Sequence, residues 1–376
     1  MLASARLTID LEALVANYKE IAESSAGAKT AAVVKADAYG LGVEHVAPAL
    51  SKAGCDTFFV ALPEEGITLR RIIPEADIYV LAGMIGAIAA AACAESSLTP
   101  VLNTTDEIKI WADYWKRRGS RRPCAIHVDT GMNRLGLPVR EALAFAKFNE
   151  LNHRVTPVLL ISHLACADER DHPLNEQQLE SFQALSAAFG NVDSSLANSA
   201  GVFLGTDYHF DLTRPGISIY GGAPQVGEEN PMRPVVTAEA RILQIRDVRA
   251  GETVSYGATF EAKRDGRIAV AGIGYADGYH RSSSGHGVAL REARSEGAFG
   301  SIAGHRIPVI GRVTMDLTAF DITELPEETV KTGDWIELFG TNISIDEAAR
   351  SAGTIAYELL TGLGNRYYRR HVGAEV

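Results

Sequence analysis

Lys29 to Gly42 reads KTAAVVKADAYGLG. Its stretch from Thr30 to Val34 is uncharged and small or β-branched, the composition of a short strand buried on both faces. Lys35 follows directly. An ammonium at the end of a buried strand must reach water, find a partner or lose its charge. A lysine that loses its charge becomes a nucleophile towards carbonyls. A lone strand-end lysine more often extends to solvent, so the chemical reading depends on its company. Arg134 in HVDTGMNRLG could bind a carboxylate or hold a phenol. His163 in ISHLACAD lies where a ring could pack on a bound group. Ser199 in ANSAG, together with the backbone N–H groups of Gly216 and Ile217 in RPGISIYG, could bind phosphate, since glycine lets a backbone approach closely. Ser199 reads equally well as a helix N-cap. Arg214 keeps its proton, and beside a basic ring nitrogen it would discourage protonation there; alone, it reads as a salt-bridging residue. Tyr256 in SYGATF reads as an ordinary strand aromatic, or as a base if a cation lowers its pKa from the usual value of about 10.

These residues need strands to carry them. Arg6 to Ile21 has Leu11, Leu14, Val15, Tyr18 and Ile21 at helical spacing behind Asp10, which predicts an amphipathic helix with Asp10 as its cap. After the lysine strand, apolar runs recur at Thr57–Leu62, Ile78–Ala82, Thr99–Leu102, Ala125–Val128, Val158–Ser162, Ser195–Asn198 and Ile217–Tyr220. Helical patterns lie between most of them, among them Glu64–Ile73, Asp106–Arg118, Arg140–Asn149 and Asn175–Phe189. Strands alternating with helices imply parallel pairing and right-handed crossovers. Eight such units in about 200 residues fit a TIM-type (β/α)8 barrel, whose chemistry sits at the C-terminal strand ends. The polar candidates cluster at those ends, except that Arg214 precedes its run, so the eighth strand or its register is displaced. A doubly wound sheet is the rival, but G-x-G-x-x-G is absent after the first strand. The α/β rhythm stops near Gly221, and Pro224 to Pro234 reads as a linker. Strands then follow at short spacing: Val235–Ile245, Thr253–Phe260, Ile268–Ile273, Ile307–Val313, Leu317–Ile322 and Trp335–Leu338. They predict a mostly β C-terminal domain, with a helix from about Asp346, capped by that residue. The expected domains are residues 1–225 and 226–376. Ser282 to Gly300 reads as a mobile loop.

The net charge of −11 argues against a nucleic-acid partner. Cys55, Cys93, Cys124 and Cys166 are scattered, with no metal-binding pair and no disulfide framework; no metal is expected. The longest apolar run, Leu81 to Ala94, is short of the roughly 20 residues needed to span a bilayer and reads as a buried helix. With no secretory pattern at the start, the expectation is a cytoplasmic chain without a membrane partner.

The strings VVKADAYGLG, VDTGMNRLG, SHLACAD, ANSAG, RPGISIYG, SYGATF, GYADGY and GRVTMD occur in this order from about Arg6 to Tyr357. Strings and order together resemble the alanine racemases, which use pyridoxal 5'-phosphate (PLP). The resemblance implies a PLP-binding barrel followed by a β domain, and interconversion of L- and D-alanine by two bases. Lys35 would hold PLP and act on the D-alanine face; Tyr256, reaching in from the partner of a homodimer, would act on the L-alanine face. Arg214 would contact the pyridine nitrogen, with His163 as support. Tyr39, Ser199, Gly216, Ile217 and Tyr357 would bind the phosphate. Arg134 and, across the dimer, the backbone N–H of Met315 would hold the substrate carboxylate, and Tyr275 and Asp316 would line the access path.

One position departs from the pattern. Some members carry a carbamylated lysine two residues before the aspartate of VDTGM, where this chain has His127. Arg134 must therefore be oriented otherwise, by an anion or a water. The expected role is D-alanine supply for peptidoglycan. The alternative is a broader amino-acid racemase, acting on serine or basic amino acids. A decarboxylase of the same architecture would place an acid, not Arg214, at the pyridine nitrogen, and a PLP carrier without its own reaction would have no use for Tyr256.

Overall fold

The structure, a computed structural model, describes residues 3–25, 27–119, 122–148, 154–294 and 297–373. It divides into two compact units, one of residues 14–219 with 223–232, the other of residues 1–13, 220–222 and 233–375.

The first unit is the α/β barrel. Among the described residues its parallel ladder runs from Ala32–Val33 through Thr57–Val60, Asp77–Val80, Thr99–Leu102, Pro123–Asp129 and Thr156–Ile161 to Asp193–Ser195. Leu212–Thr213 pairs in parallel with Lys29–Thr30, the first half of the lysine strand. On its other side Asp211 N–H donates to Ser194 O at 3.0 Å and Arg214 N–H to Ala197 O at 2.9 Å, which closes the ring. The eighth strand is thus Leu212–Thr213. Ile217–Tyr220, expected as that strand, is a 3-10 turn. The physical reason is the break at Pro215–Gly216: Ile219 N–H turns back to Gly216 O at 2.9 Å instead of joining a ladder. The buried strands are near-continuous apolar runs, as a sheet covered on both faces requires. The helices Pro63–Ile72, Thr105–Lys116 and Pro173–Phe189 match their expected spans to within two residues. Val139–Phe148 is helical too, and Asn149, its expected last residue, lies outside the described residues.

Two sequence expectations change here. Residues 223–232 pack on the barrel: Gln225 Nε2 donates to Ala167 O and Ala200 O, both at 3.0 Å, so the stretch is no free linker. Gly86–Glu95 is a helix buried only along Ala90 and Cys93, while Ile85 and Ile88 beside them are exposed. Among the described residues no helix is long and apolar enough to cross a membrane.

The second unit is mostly β. Gly266–Ala271, Thr318–Asp321, His305–Ile310, Phe299–Ile302, Trp335–Phe339 and Val236–Val248 pair in that order, and Val236–Val248 pairs back to Gly266–Ala271, closing the sheet. Val248, Val254, Ala262, Ile268, Ile310 and Ala319 form one core cluster. Ala5–Asp10 is a strand of this sheet, antiparallel to Val236–Val248 and parallel to Tyr368–Val372. The sequence reading placed the helix cap at Asp10 and assigned no strand before it. The strand's side chains alternate, with Ala5, Leu7 and Ile9 buried, so period two governs here. The helix starts at Leu11, and Asp10 Oδ1 accepts the Ala13 N–H at 2.9 Å, as a cap does. Ile345–Ala352 is capped by Ser344, not by Asp346, through the Glu347 N–H at 3.1 Å. Ser282 to Gly300 is largely structured: Ser283 and Ser284 are buried and Ala289–Ala293 is helical, with residues 295–296 outside the described set.

Candidate active site

Lys35 stands where the lysine strand ends, half-buried. Burial lowers its pKa from the usual lysine value and the nearby Arg134 guanidinium lowers it further, while Glu65 works against both. An amine in this setting gives up its proton more readily than a surface lysine.

The chain then does something its sequence conceals. Ala36, Asp37, Ala38 and Tyr39 all have left-handed helical dihedrals, with φ of 54°, 54°, 53° and 58°. Each L-residue in that region costs roughly 1–2 kcal/mol, and a run of four persists only when its surroundings enforce it. Ala38 N–H donates to Val34 O at 2.9 Å and Gly42 N–H to Asp37 O at 3.0 Å. The Asp37 carboxylate accepts the Val43 N–H at 2.8 Å. The Glu65 carboxylate accepts the Ala36 N–H at 2.7 Å. This tight turn leaves Tyr39 buried one turn beyond Lys35.

Tyr39 meets the other end of the barrel ring. A Cβ placed on Gly216 would lie 2.3 Å from Tyr39 Oη, so only glycine fits there. Ser199 Oγ accepts the N–H groups of Gly216 at 2.8 Å and Ser218 at 3.2 Å. The first N–H groups of a helical turn lack partners within it. Here Ser199 Oγ takes up two of them beside the Tyr39 phenol, with Ile217 buried between them. Ser199 is not the N-cap of its short helix; Asn198 is, accepting the Gly201 N–H at 2.8 Å.

Arg214 is buried, with no carboxylate among its hydrogen-bond partners. Its guanidinium donates to Ser195 Oγ and, at 2.6 Å, to Ser162 O, and it lies over the Phe59 ring at 5.9 Å. Burial lowers its pKa to about 10, which leaves it charged at neutral pH. His163 is pushed well below the usual histidine range by burial and by the cations Arg214 and Arg134, so it is neutral. Gln178 fixes the loop around it, donating to His163 O at 2.9 Å and Thr130 Oγ1 at 3.1 Å and accepting the Ala165 N–H at 2.9 Å.

His127 occupies the departing position. Asn103 Nδ2 donates to Val101 O at 3.0 Å, which turns Asn103 Oδ1 towards His127 Nδ1 at 2.7 Å. The Nδ1 therefore carries the proton and Nε2 is the free acceptor. Burial and Arg214 lower this imidazole to about 4. Arg134 is exposed and makes no hydrogen bond or ion pair among the described residues. A histidine that is harder to protonate folded than unfolded favours the unfolded state as acid is added. Stability from His127 is fully present above the unfolded value near 6.5 and is lost as pH falls towards 4, amounting to about 3 kcal/mol. We expect the melting temperature to fall between pH 6.5 and 4 and the fall to shallow in His127→Gln; parallel curves would contradict this.

The barrel unit thus brings together Lys35, Tyr39, Arg134, His163, Ser199, Arg214, Gly216 and Ile217. The β unit carries Tyr256, Tyr275, Met315, Asp316 and Tyr357. Tyr256 lies not in a strand but on a 3-10 turn, 74% exposed, between Thr253–Val254 and Phe260–Glu261. Ser255 before it has φ of 69° and is held by its hydroxyl on Arg312 O at 2.7 Å. Tyr256 and Arg312 line an open cavity of about 900 Å³ with Glu252, Thr314 and Leu317. Tyr275 N–H donates to Thr314 O and Ala276 N–H to Met315 O, both at 3.0 Å, so these loops are stitched together. Arg366 spans them, bonding buried Asp277 and, at 2.8 Å, Asp316. Tyr357 is partly exposed on the helix Ala356–Thr361.

Sequence reasoning missed Glu65, Asn103, Gln178, Ser195 and Arg366. Glu65 had a signal, an acid in the first turn of a barrel helix. The others are polar residues whose partners lie in other elements of the chain, beyond the reach of local pattern.

Comparison with known proteins places these features. The family profile described as "Alanine racemase, N-terminal domain" matches residues 9–224, and "Alanine racemase, C-terminal domain" matches residues 235–371. The chain is 55% identical over 371 residues to an alanine racemase of Rhizobium meliloti (strain 1021), covering 99% of this chain and 97% of that protein. It is 53% identical over 373 residues to a biosynthetic alanine racemase of Agrobacterium fabrum, covering 99% and 95%. The crystal structure of alanine racemase from Bartonella henselae with covalently bound pyridoxal phosphate superposes with a TM-score of 0.91 at 37% identity, covering 98% of this chain and all of that one. A lysine strand, a closed parallel barrel and a β domain, matched along almost their whole length, have one explanation: the chain belongs to the alanine racemase family.

Proposed function

We propose that this protein interconverts L- and D-alanine with pyridoxal 5'-phosphate as cofactor, using Lys35 and Tyr256 as the two bases. The observation that carries the reading is the Lys35 amine. It is half-buried with a lowered pKa, one turn from a cradle formed by Tyr39, Ser199 and Gly216.

The residues fit the cofactor. Tyr39 Oη, Ser199 Oγ and the Ile217 N–H would offer donors to a phosphate, joined by the Gly216 and Ser218 N–H groups once these turn from Ser199 Oγ, and a side chain at 216 would crowd Tyr39 Oη. Lys35 supplies the amine for the covalent bond, and Arg214 supplies a fixed cation for the ring nitrogen. When bound, PLP withdraws electrons from the substrate Cα and makes its proton acidic.

The chain's own residues do the rest. Lys35 Nζ takes or returns the proton on the D-alanine face. Tyr256 Oη does so on the other, reaching the site of the partner subunit in a homodimer; its exposure on the β unit suits that role. Arg214 stays charged and can donate to a ring nitrogen but not accept a proton from it, so it would discourage protonation there and moderate the cofactor's electron withdrawal. That restraint favours rapid return of the proton over side reactions. His163, neutral at working pH, supports this cation. Arg134 and, across the dimer, the Met315 N–H hold the substrate carboxylate, while Tyr275 and Asp316 shape the access path. D-Alanine made this way would serve peptidoglycan in the cytoplasm, in keeping with a relative described as biosynthetic. Purified chain with added PLP should convert L-alanine to an equal mixture of enantiomers. Faster turnover of serine, lysine or arginine than of alanine would assign a broader racemase instead.

A further inference from the structure

The turn that aims Lys35 and Tyr39 is strained, and most of its own hydrogen bonds are local. One partner comes from a different βα unit. Glu65 sits in the first turn of the helix Pro63–Ile72, which follows the second barrel strand. One carboxylate oxygen, Oε2, accepts the N–H groups of Ala61 at 2.7 Å and Leu62 at 3.1 Å, at the end of its own strand. The other, Oε1, accepts the N–H of Ala36 at 2.7 Å, the first left-handed residue after Lys35. A single carboxylate therefore ties the mouth of the second strand to the turn beside the lysine.

The same device recurs two strands on. Glu107, in the first turn of Thr105–Lys116, accepts the N–H groups of Asn103 at 2.5 Å and Thr104 at 3.2 Å through Oε2, and that of Met84, in the preceding loop, at 3.2 Å through Oε1. The repetition shows how the barrel fixes neighbouring loops at its C-terminal face. Only the Glu65 copy acts on a left-handed turn, and only Glu65 opposes Arg134 in setting the charge of Lys35.

Resting on the reading of Lys35 as the PLP-binding amine, we propose that Glu65 is a positioning residue for the reaction: its carboxylate pins the left-handed turn so that Lys35 and Tyr39 face the same cradle. A glutamine at 65 cannot replace it. Its amide oxygen can accept at one end only, and its NH2 would face an N–H at the other. An aspartate keeps the charge but is one methylene short of spanning both ends.

The test compares wild type, Glu65→Gln and Glu65→Asp as full-length chains freed of cofactor and titrated with PLP across pH. Readouts are the visible absorbance of the covalently bound cofactor, its dissociation constant, and the melting temperature. We expect Glu65→Gln to weaken PLP binding at least tenfold and to move the pH of half-maximal covalent binding downwards, because the group that favours the charged amine is gone. Glu65→Asp should weaken binding while leaving that midpoint near wild type. If Glu65→Gln lowers only the melting temperature, with affinity and midpoint unchanged, Glu65 is merely a helix cap and the inference fails. If the wild-type chain forms no covalent complex at any pH, the reading of Lys35 itself fails.

Discussion

Lys35→Ala abolishes both the covalent attachment of PLP and racemisation. Lys35 combines a strand end, a lowered pKa and the neighbouring contact of Tyr39 with Gly216. Removing it takes away the amine that bonds the cofactor and one of the two bases, and positioned general bases typically contribute 10²- to 10⁴-fold each. The combined loss should exceed about 10⁴-fold. The visible absorbance of bound cofactor should vanish, and borohydride should fix no PLP to the chain. A borohydride-stable adduct in the variant would place the reactive amine elsewhere.

Tyr256→Ala gives the other large effect, and its signature is directional. With Lys35 in place the D-alanine face retains its base, so proton exchange from D-alanine survives far better than exchange from L-alanine. The expected deficit on the L side is about 10²- to 10⁴-fold. Arg312, whose Nη1 would lie 2.7 Å from a Cβ at Gly257, puts a cation next to the tyrosine turn. Folding should be little affected, because Tyr256 is exposed. Equal loss from both enantiomers would contradict the division of labour between the two bases.

The barrel was legible in the sequence because its strands are buried on both faces. Runs such as TFFV and TPVL carry no charged residue to confuse them with surface segments. The eighth strand was not. Leu212–Thr213 is two residues long, and the more apolar ISIY beside it drew the reading away, although Pro215 and Gly216 already marked a turn. The first strand escaped for another reason. Ala5–Asp10 pairs with residues more than 200 positions away, and a helical pattern begins immediately after it. Local periodicity cannot report such a partner.

At the site, the groups whose chemistry is fixed by residue type were visible: a lysine at a strand end, an arginine beside a glycine, a serine after a strand. Their support was not. The left-handed turn ADAY holds no glycine, so nothing in residue type announces φ near +54°. The tautomer of His127 depends on Asn103, which lies in a separate βα unit, and the charge of Arg214 is balanced by carbonyl and hydroxyl oxygens rather than by an acid. At His127 the structure offers an imidazole whose Nδ1 is held by Asn103, and Arg134 has no hydrogen bond among the described residues that would orient it. The sequence reading had looked to an anion or a water for the same task.

The central claim is that Lys35 and Tyr256 move a proton at Cα from opposite faces with PLP in place. The most direct measurement is deuterium incorporation at Cα in deuterated water, starting separately from L- and D-alanine, with and without added PLP. The account predicts PLP-dependent incorporation accompanied by inversion from both enantiomers. Incorporation with retention alone, or none from alanine while PLP is visibly bound, would contradict it.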